Sequence, residues 1–178
     1  MPLALLAFVI SFFRDPERKV PPDGKLIVAP ADGRVVEIKS AHEPHFLKGE
    51  AMMVAIFLSV FDGHVQRAPI EGEIKLVQYH KGRFLDARHP RASLANENRV
   101  VGIESADGFR VTMRQIAGFI ARRIVGWADT GAQLVKGERL GMIRFGSRVE
   151  LFLPLDAEIT VKIGDQAKGG ETIVARRK

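Results

Sequence analysis

The hydrophobic and polar positions divide the chain into short apolar runs separated by turn residues. Residues 140–145 and 149–153 each have the pattern of a buried β-strand, and residues 52–61 are a continuous apolar run typical of a strand buried on both faces. Seventeen glycines and nine prolines, spread along the chain, indicate many tight turns. We therefore predict a mainly β (α+β) fold, a barrel-like sandwich of short strands with one or two short helices.

Turn residues predict where neighbouring strands meet. Residues 26–38 have the pattern of a strand, an Asp32-Gly33 hairpin turn and a second strand, and the pattern recurs weakly at residues 68–77 and 163–175. Residues 100–113 predict a further hairpin.

Two intervening segments are less regular. Residues 79–99 predict a long loop with a helical turn, and loops of that length are often functional. Residues 116–125 mix alanine, isoleucine and arginine in a way that favours a short helix.

Residues 2–13 are apolar apart from Ser11 and are followed at once by Arg14. Twelve helical residues rise about 18 Å, which is short of the roughly 30 Å hydrocarbon core, so this segment cannot span a bilayer as written. An apolar anchor that meets phosphate head groups is one interpretation, and a first core element is the other. We predict that residues 1–20 associate with a membrane and that residues 21–178 form one domain.

Composition narrows the classes of function. The chain has no cysteine, which excludes disulfides, thiolate catalysis and cysteine-based zinc sites. The net charge of +6 favours an anionic partner, either nucleic acid or a membrane surface, but one Trp and one Tyr provide few stacking platforms for single strands. The spacings of His42, His45, His80 and His89 match no metal-binding pattern, so we interpret them as surface residues and predict no metal site.

Gly146 and Ser147 lie between two predicted strands, in a setting that suits a reactive peptide bond. Glycine has no Cβ, so its carbonyl can be approached closely. Attack of Ser147 Oγ on the Gly146 carbonyl carbon would give an ester, and β-elimination would split the chain and leave a pyruvoyl group at residue 147. An ordinary Gly-Ser turn is the plainer alternative. His64 follows the apolar run 52–61 and is placed for proton transfer, although a structural histidine is the commoner case.

Six segments, in order and at compatible spacings, resemble the pyruvoyl-dependent phosphatidylserine decarboxylase proenzymes of the short (type A) bacterial and archaeal kind. The resemblance covers nearly the whole chain. The segments are residues 12–18 (FFRDPER), 30–35 (PADGRV), 59–69 (SVFDGHVQRAP), 96–99 (NENR), 114–124 (RQIAGFIARRI) and 137–149 (GERLGMIRFGSRV).

The resemblance implies self-cleavage between Gly146 and Ser147, with Ser147 converted into a covalent pyruvoyl cofactor. Asp32 and His64 match the aspartate and histidine of the family's processing machinery. A base makes a hydroxyl nucleophilic, and a carboxylate behind an imidazole holds its tautomer. The products would be a large β chain of residues 1–146 and a small α chain of residues 147–178 that stay together as a heterodimer, with a dimer of these left open.

The resemblance also implies the reaction. The ketone at residue 147 would form a Schiff base with phosphatidylserine, and loss of carbon dioxide and protonation, with His64 as candidate donor, would release phosphatidylethanolamine. Arg67, Arg122 and Arg123 are the candidate substrate-binding residues. The predicted location is the cytoplasmic side of the cell membrane, held peripherally on an anionic lipid surface, with no nucleic-acid partner.

Two departures from the family pattern leave questions open. Longer members carry two histidines three residues apart, whereas here the second position is Arg67, so His64 could serve self-cleavage, decarboxylation or both. The family also has a longer hydrophobic stretch before residue 12, which suggests either a shortened start or peripheral docking.

Three other functions compete with the decarboxylase. A non-enzymatic β-sandwich carrier or binding module of the lipoyl or biotinyl kind would explain the repeated turns, but their tips hold Asp32-Gly33 and Glu71-Gly72 where a carrier needs a lysine. A nucleic-acid-binding domain rests on charge alone. A pyruvoyl enzyme acting on a small amino acid would leave the apolar N-terminus unexplained.

Overall fold

The computed structural model describes residues 2–89, 91–119, 123–144 and 147–178. Within these residues the chain forms two helices, α1 (Pro2–Phe12) and α2 (Ala92–Ala95). The strands are β1 (Leu26–Val28), β2 (Gly33–Glu43), β3 (Gly49–Leu58), β4 (Val65–Arg67), β5 (Gly72–His80), β6 (Asn98–Glu104), β7 (Arg110–Ile116), β8 (Ile124–Gly126), β9 (Gln133–Leu134), β10 (Arg139–Ile143), β11 (Ser147–Leu153), β12 (Glu158–Ile159), β13 (Gln166–Ala167) and β14 (Ile173–Arg176).

Eight of these strands form one curled sheet in the order β13-β2-β3-β11-β7-β6-β5-β9. Two sheets of three strands, β1-β14-β12 and β4-β10-β8, complete the fold. Neighbouring strands are antiparallel in all three sheets. The predicted mainly β fold with one or two short helices is confirmed.

The centre of the large sheet is buried on both faces. β11 pairs with β3 from Ser147–Leu58 to Leu153–Met52, and all residues of β11 are buried. Val149 and Leu151 pack in the main core, whereas Phe152 packs in a smaller cluster on the opposite face. The buried strands predicted at residues 52–61 and 149–153 are therefore confirmed, although β3 begins and ends three residues earlier than the run.

The hairpin predicted about Asp32-Gly33 is wrong. β1 pairs with β14 in a three-stranded sheet, whereas β2 pairs with β3 and β13 in the large sheet, so the turn carries the chain from one sheet into another. The strands at residues 68–77 and 163–175 likewise pair with distant partners, and neither segment forms a hairpin of its own. The carrier alternative thereby loses the repeated hairpins that suggested it.

The other local predictions have mixed outcomes. The hairpin at residues 100–113 is confirmed by the pairing of β6 with β7, and the long loop before β6 contains the single turn of α2. The helix predicted over residues 116–125 is wrong at both ends, because Ile116 completes β7 and Ile124 begins β8. Residues 120–122, between these strands, lie outside the described residues.

Helix α1 presents apolar side chains in two directions. Leu3, Leu6 and Ile10 are exposed, whereas Phe12 is only 1% exposed and packs against the domain. In the part of the chain that the structure describes, no helix is both long enough and apolar enough to cross a membrane.

Gly33, the first residue of β2, provides a test of how closely the backbone of β2 approaches the end of β3. Its φ of +140° is rarely adopted by other residues, and a Cβ at this position would lie 2.2 Å from the backbone oxygen of Phe57. We expect Gly33→Ala to lower the free energy of unfolding by at least about 2 kcal/mol in urea denaturation. The matched control is Gly49→Ala, also in a strand, where the nearest atom would lie 3.9 Å away. Equal stability of the two variants would contradict the close approach.

Candidate active site

Ser147 occupies the first position of β11, directly opposite Leu58 at the end of β3. The residue is fully buried, and its Oγ has no hydrogen-bond partner among the described residues. A buried hydroxyl normally has a partner, and exceptions in native proteins call for an explanation such as a catalytic role. Gly146, the other side of the predicted cleavage bond, lies outside the described residues. The hydroxyl of Ser147 is therefore not committed to a structural hydrogen bond.

His64 lies on the loop that follows β3, so the pairing that places Ser147 also places this loop. The loop is closed by Asp62, whose Oδ2 accepts hydrogen bonds from Ser59 N at 2.8 Å and from Ser59 Oγ at 2.7 Å. The backbone oxygen of His64 accepts a hydrogen bond from Ile143 N, at the end of β10, at 3.4 Å. His64 is thus hydrogen-bonded to β10, on one side of the predicted cleavage bond, and its loop follows β3, the partner of β11 on the other side.

The contacts of the His64 ring define its proton state. Nδ1 lies 2.9 Å from the backbone oxygen of Asp62. A carbonyl oxygen can only accept, so Nδ1 carries the hydrogen and Nε2 of the neutral ring holds the lone pair. Burial lowers the pKa of His64, although the hydrogen bond to Asp62 and the negative charges of Asp62 and Asp32 oppose this effect. A neutral ring that carries its lone pair on Nε2 is the form that can act as a base near neutral pH.

Phe12 covers the imidazole of His64. The two ring centroids are 4.0 Å apart and the rings are inclined at 36°. The end of α1 is held to the same loop, because Arg14 Nη2 donates a hydrogen bond to the backbone oxygen of Phe61 at 2.6 Å. Phe12, predicted as part of an apolar anchor, therefore forms part of the wall of the site.

The carboxylate of Asp32 lies close to the backbone of Gly63, the residue before His64. Its Oδ2 accepts a hydrogen bond from Arg18 Nη2 and its Oδ1 accepts one from Gly169 N, both at 2.7 Å. A Cβ on Gly63 would lie 2.6 Å from Asp32 Oδ2, which shows how closely the carboxylate approaches this loop. The hydrogen bond that defines the His64 tautomer is donated by Nδ1 to the backbone oxygen of Asp62, and not to Asp32. Asp32 acts on the pKa of His64 through its charge, and its catalytic role stays a prediction.

The three candidate substrate-binding arginines have different surroundings. Arg67 is buried, and it donates hydrogen bonds to the backbone oxygens of Gly137 and Pro16, each at 3.1 Å, and forms an ion pair with Asp15. Arg123 is exposed, and its backbone oxygen accepts a hydrogen bond from Arg144 N at 3.2 Å. Arg122 lies outside the described residues. The substrate contacts of all three arginines stay predictions.

The remaining histidines differ in their exposure. His42 and His89 are exposed, as predicted, but His45 and His80 are half-buried and their ring centroids are 5.0 Å apart. His45 Nδ1 lies 3.0 Å from Gln78 Oε1. Across the described ranges no group of three or more histidine, aspartate or glutamate side chains is arranged to hold a metal ion.

The sequence analysis missed a group of charges on the far face of β11. Glu150 is fully buried, and it accepts hydrogen bonds from Ser93, Arg114 and Arg148. Its signal was visible, because Arg148 and Glu150 alternate with apolar residues along a strand predicted to be buried. The contact between Phe12 and His64 had no such signal, since it joins residues distant in sequence.

Comparison with known proteins identifies relatives along nearly the whole chain. A family model described as phosphatidylserine decarboxylase matches residues 5–175. A phosphatidylserine decarboxylase proenzyme of Symbiobacterium thermophilum is 45% identical over 172 residues, which cover 97% of this chain and 80% of that protein. Proenzymes of the same name from Carboxydothermus hydrogenoformans and Burkholderia multivorans are 46% and 45% identical, covering 98% and 96% of this chain and 82% and 79% of their own lengths.

The stacking of Phe12 on His64 predicts a change in proton affinity. We expect His64 to titrate below its ordinary pKa of about 6.5, and Phe12→Ala to raise that pKa because the ring becomes more exposed to water. Histidine side-chain NMR on an uncleavable Ser147→Ala background measures this pKa directly. Phe8→Ala is the matched control, because it removes another phenyl ring of α1, one that contacts the rings of Phe12 and Phe61. It should change the pKa of His64 less than Phe12→Ala does. An unchanged pKa in Phe12→Ala would show that the phenyl ring does not control the burial of the imidazole.

Proposed function

Because the chain belongs to the phosphatidylserine decarboxylase family, we propose that it cleaves itself at Gly146-Ser147 and then converts phosphatidylserine into phosphatidylethanolamine. The observation that carries the assignment of the site is Ser147 itself, a fully buried serine whose Oγ has no partner among the described residues. It begins the central strand of the large sheet and faces the end of the strand that leads to His64. An ordinary Gly-Ser turn would not require burial of this hydroxyl.

The self-cleavage uses groups of this chain and one water molecule. His64 Nε2 accepts the proton of Ser147 Oγ, and the oxygen attacks the carbonyl carbon of Gly146. The carbon–nitrogen bond breaks as the ester forms, and the nitrogen of residue 147 takes up a proton. Loss of the Cα proton then breaks the Cβ–O bond, so residue 146 leaves as a carboxylate. Water finally replaces the nitrogen of residue 147, which departs as ammonia, and a keto group remains.

The surroundings of residue 147 fit such a pyruvoyl group. The position is buried, carries no competing hydrogen bond within the described residues, and starts a strand paired on both of its edges. When formed, the group supplies a ketone that withdraws electrons from the carboxyl-bearing carbon of a bound amine. His64 is the candidate that delivers a proton to that carbon after carbon dioxide has left. Burial favours this role, because a lowered pKa makes the charged imidazole a better acid.

The two products of cleavage have reasons to stay together. Residues 147–178 contribute β11, β13 and β14, which pair with β3, β7, β2 and β1 of the preceding chain. Separating the chains would break these ladders and expose the buried side chains of β11. These shared strand pairs support a stable heterodimer of residues 1–146 and 147–178.

We further propose that α1 docks the protein on an anionic membrane, on the cytoplasmic side of the cell membrane. Leu3, Leu6 and Ile10 offer an apolar surface, and the exposed cations Arg14 and Lys19 follow. A basic residue near an anionic membrane contributes about 1 kcal/mol. Arg18, which lies between them in the sequence, is instead paired with Asp32, so its charge is not available to lipid head groups.

The first test is the mass of the purified chain. We expect the unmodified protein to consist of residues 1–146 and 147–178, with the smaller chain blocked at its start by the keto group. Ser147→Ala should remain one chain and release no phosphatidylethanolamine from phosphatidylserine vesicles, because it lacks the nucleophile. Ser40→Ala removes an exposed hydroxyl that bonds Glu50 and should cleave normally. A folded, uncut parent chain would contradict the proposal.

Membrane docking has its own test. Ile10→Ser should weaken co-sedimentation with phosphatidylserine vesicles about tenfold, since a buried isoleucine side chain contributes roughly 1.5–3 kcal/mol. Ile163→Ser is a matched control, because Ile10 is 65% exposed and Ile163 is 63% exposed. Both variants should still cleave themselves. Equal loss of binding in the two variants would show that α1 is not the docking element.

A further inference from the structure

A chain of charged side chains lies on the face of β11 opposite Ser147. We call Arg148, Glu150, Glu37 and Arg114 the Arg148 network. Arg148 Nε donates to Glu150 Oε1 at 2.8 Å, and Arg148 Nη2 forms an ion pair with Glu37. Arg114 Nε donates to Glu150 Oε2 at 2.9 Å. Positive and negative groups alternate along this network, and Arg148 and Glu150 are both buried.

The strand register explains how the network forms. Ala55 of β3 pairs with Glu150 on one side and with Glu37 on the other. Its methyl group leaves room over the sheet, so the guanidinium of Arg148 extends across β3 to reach Glu37 on β2. Arg114 is the direct partner of Glu150 on β7. The network therefore joins β2, β11 and β7, and it crosses over β3 between β2 and β11.

This network begins at Arg148, the second residue after the proposed cleavage point. Among the described residues, Ser147 pairs with Leu58 of β3 alone, whereas pairing with β7 starts at Arg148–Ile116. In the uncut chain residue 147 is also held by its peptide bond to residue 146. Self-cleavage removes that bond and turns residue 147 into a chain end, and strand ends fray unless they are tied down. Arg148 is thus the first residue that can hold the new end from both sides.

We propose that Arg148 is a positioning residue that holds residue 147 in place after the chain is cut. This inference rests on the proposed self-cleavage. Before cleavage the network is redundant with the covalent bond, and after cleavage it keeps the reacting end of the small chain beside His64. A buried arginine with two carboxylate partners suits this task. If Arg148 moved away from Glu37 and Glu150, buried charges would lose their partners, which costs free energy.

The measurement is amide hydrogen exchange over residues 148–150 in cut and uncut protein. In the cut protein, Arg148→Met should speed exchange at these amides about tenfold or more over the cut parent, because the strand end frays more often. The same substitution in the uncleavable Ser147→Ala background should change exchange less than about twofold. A residue needed only for general stability would speed exchange alike in both backgrounds.

Two milder variants keep the test decisive if Arg148→Met does not fold. Glu37→Gln removes the charge that Arg148 reaches across β3, and Glu37 is partly exposed, so the change is tolerable. Lys39→Gln is its matched control, because Lys39 also pairs with Glu37 and lies on β2, which β3 separates from β11. Glu37→Gln should speed exchange in the cut protein only, and Lys39→Gln should leave it unchanged.

Activity provides a second readout on the cut proteins. A displaced chain end should lower kcat for phosphatidylserine in Arg148→Met and Glu37→Gln, with KM near that of the parent. Mass spectrometry precedes these assays. An uncut parent overturns the proposed function and this inference together, whereas a cut parent with equal exchange effects in the two backgrounds overturns this inference alone.

Discussion

The pairing of β11 between β3 and β7 is the constraint on which the rest of the molecule depends. Antiparallel ladders on both edges determine the register, and the alternation of a strand then assigns each side chain to a face. Val149 and Leu151 enter the core, while Arg148 and Glu150 enter the charge network. A shift of β11 by one residue would turn Arg148 and Glu150 into the apolar core. The register of β11 therefore determines the position of residue 147.

This constraint explains why the proposed cleavage before Ser147 would leave the chain folded. Ser147 lies at the end of a ladder, so a break before it removes no pairing within β11. Because Leu58 is the partner of Ser147, the loop that follows β3 necessarily carries His64 to the same end of the sheet. The strand that begins with Ser147 and the loop that carries the candidate base are therefore linked through one strand pair, which the proposed cleavage would leave intact.

The strands of the core could be predicted from the sequence because long apolar runs carry their own signal. The partners of those strands could not, since Asp32-Gly33 has the local chemistry of a hairpin turn and yet links two different sheets. At the candidate site, Ser147, His64 and Asp32 could be predicted from their motifs, but the hydrogen bond from His64 Nδ1 to the Asp62 backbone could not. A backbone carbonyl has no identity in the sequence, and only the folded loop shows where it points.

The same limit applies to helix α1, and it bears on how a lipid reaches a buried residue. Composition predicted an apolar anchor, but could not reveal that Phe12 turns inwards onto His64 while Ile10 stays exposed. One helix therefore combines the apolar surface suited to a bilayer with a wall of the candidate site. A phospholipid keeps its acyl chains in the membrane while its head group reacts, so the reacting residue must lie close to the docking surface. A contact between the proposed docking helix and the candidate base satisfies that requirement.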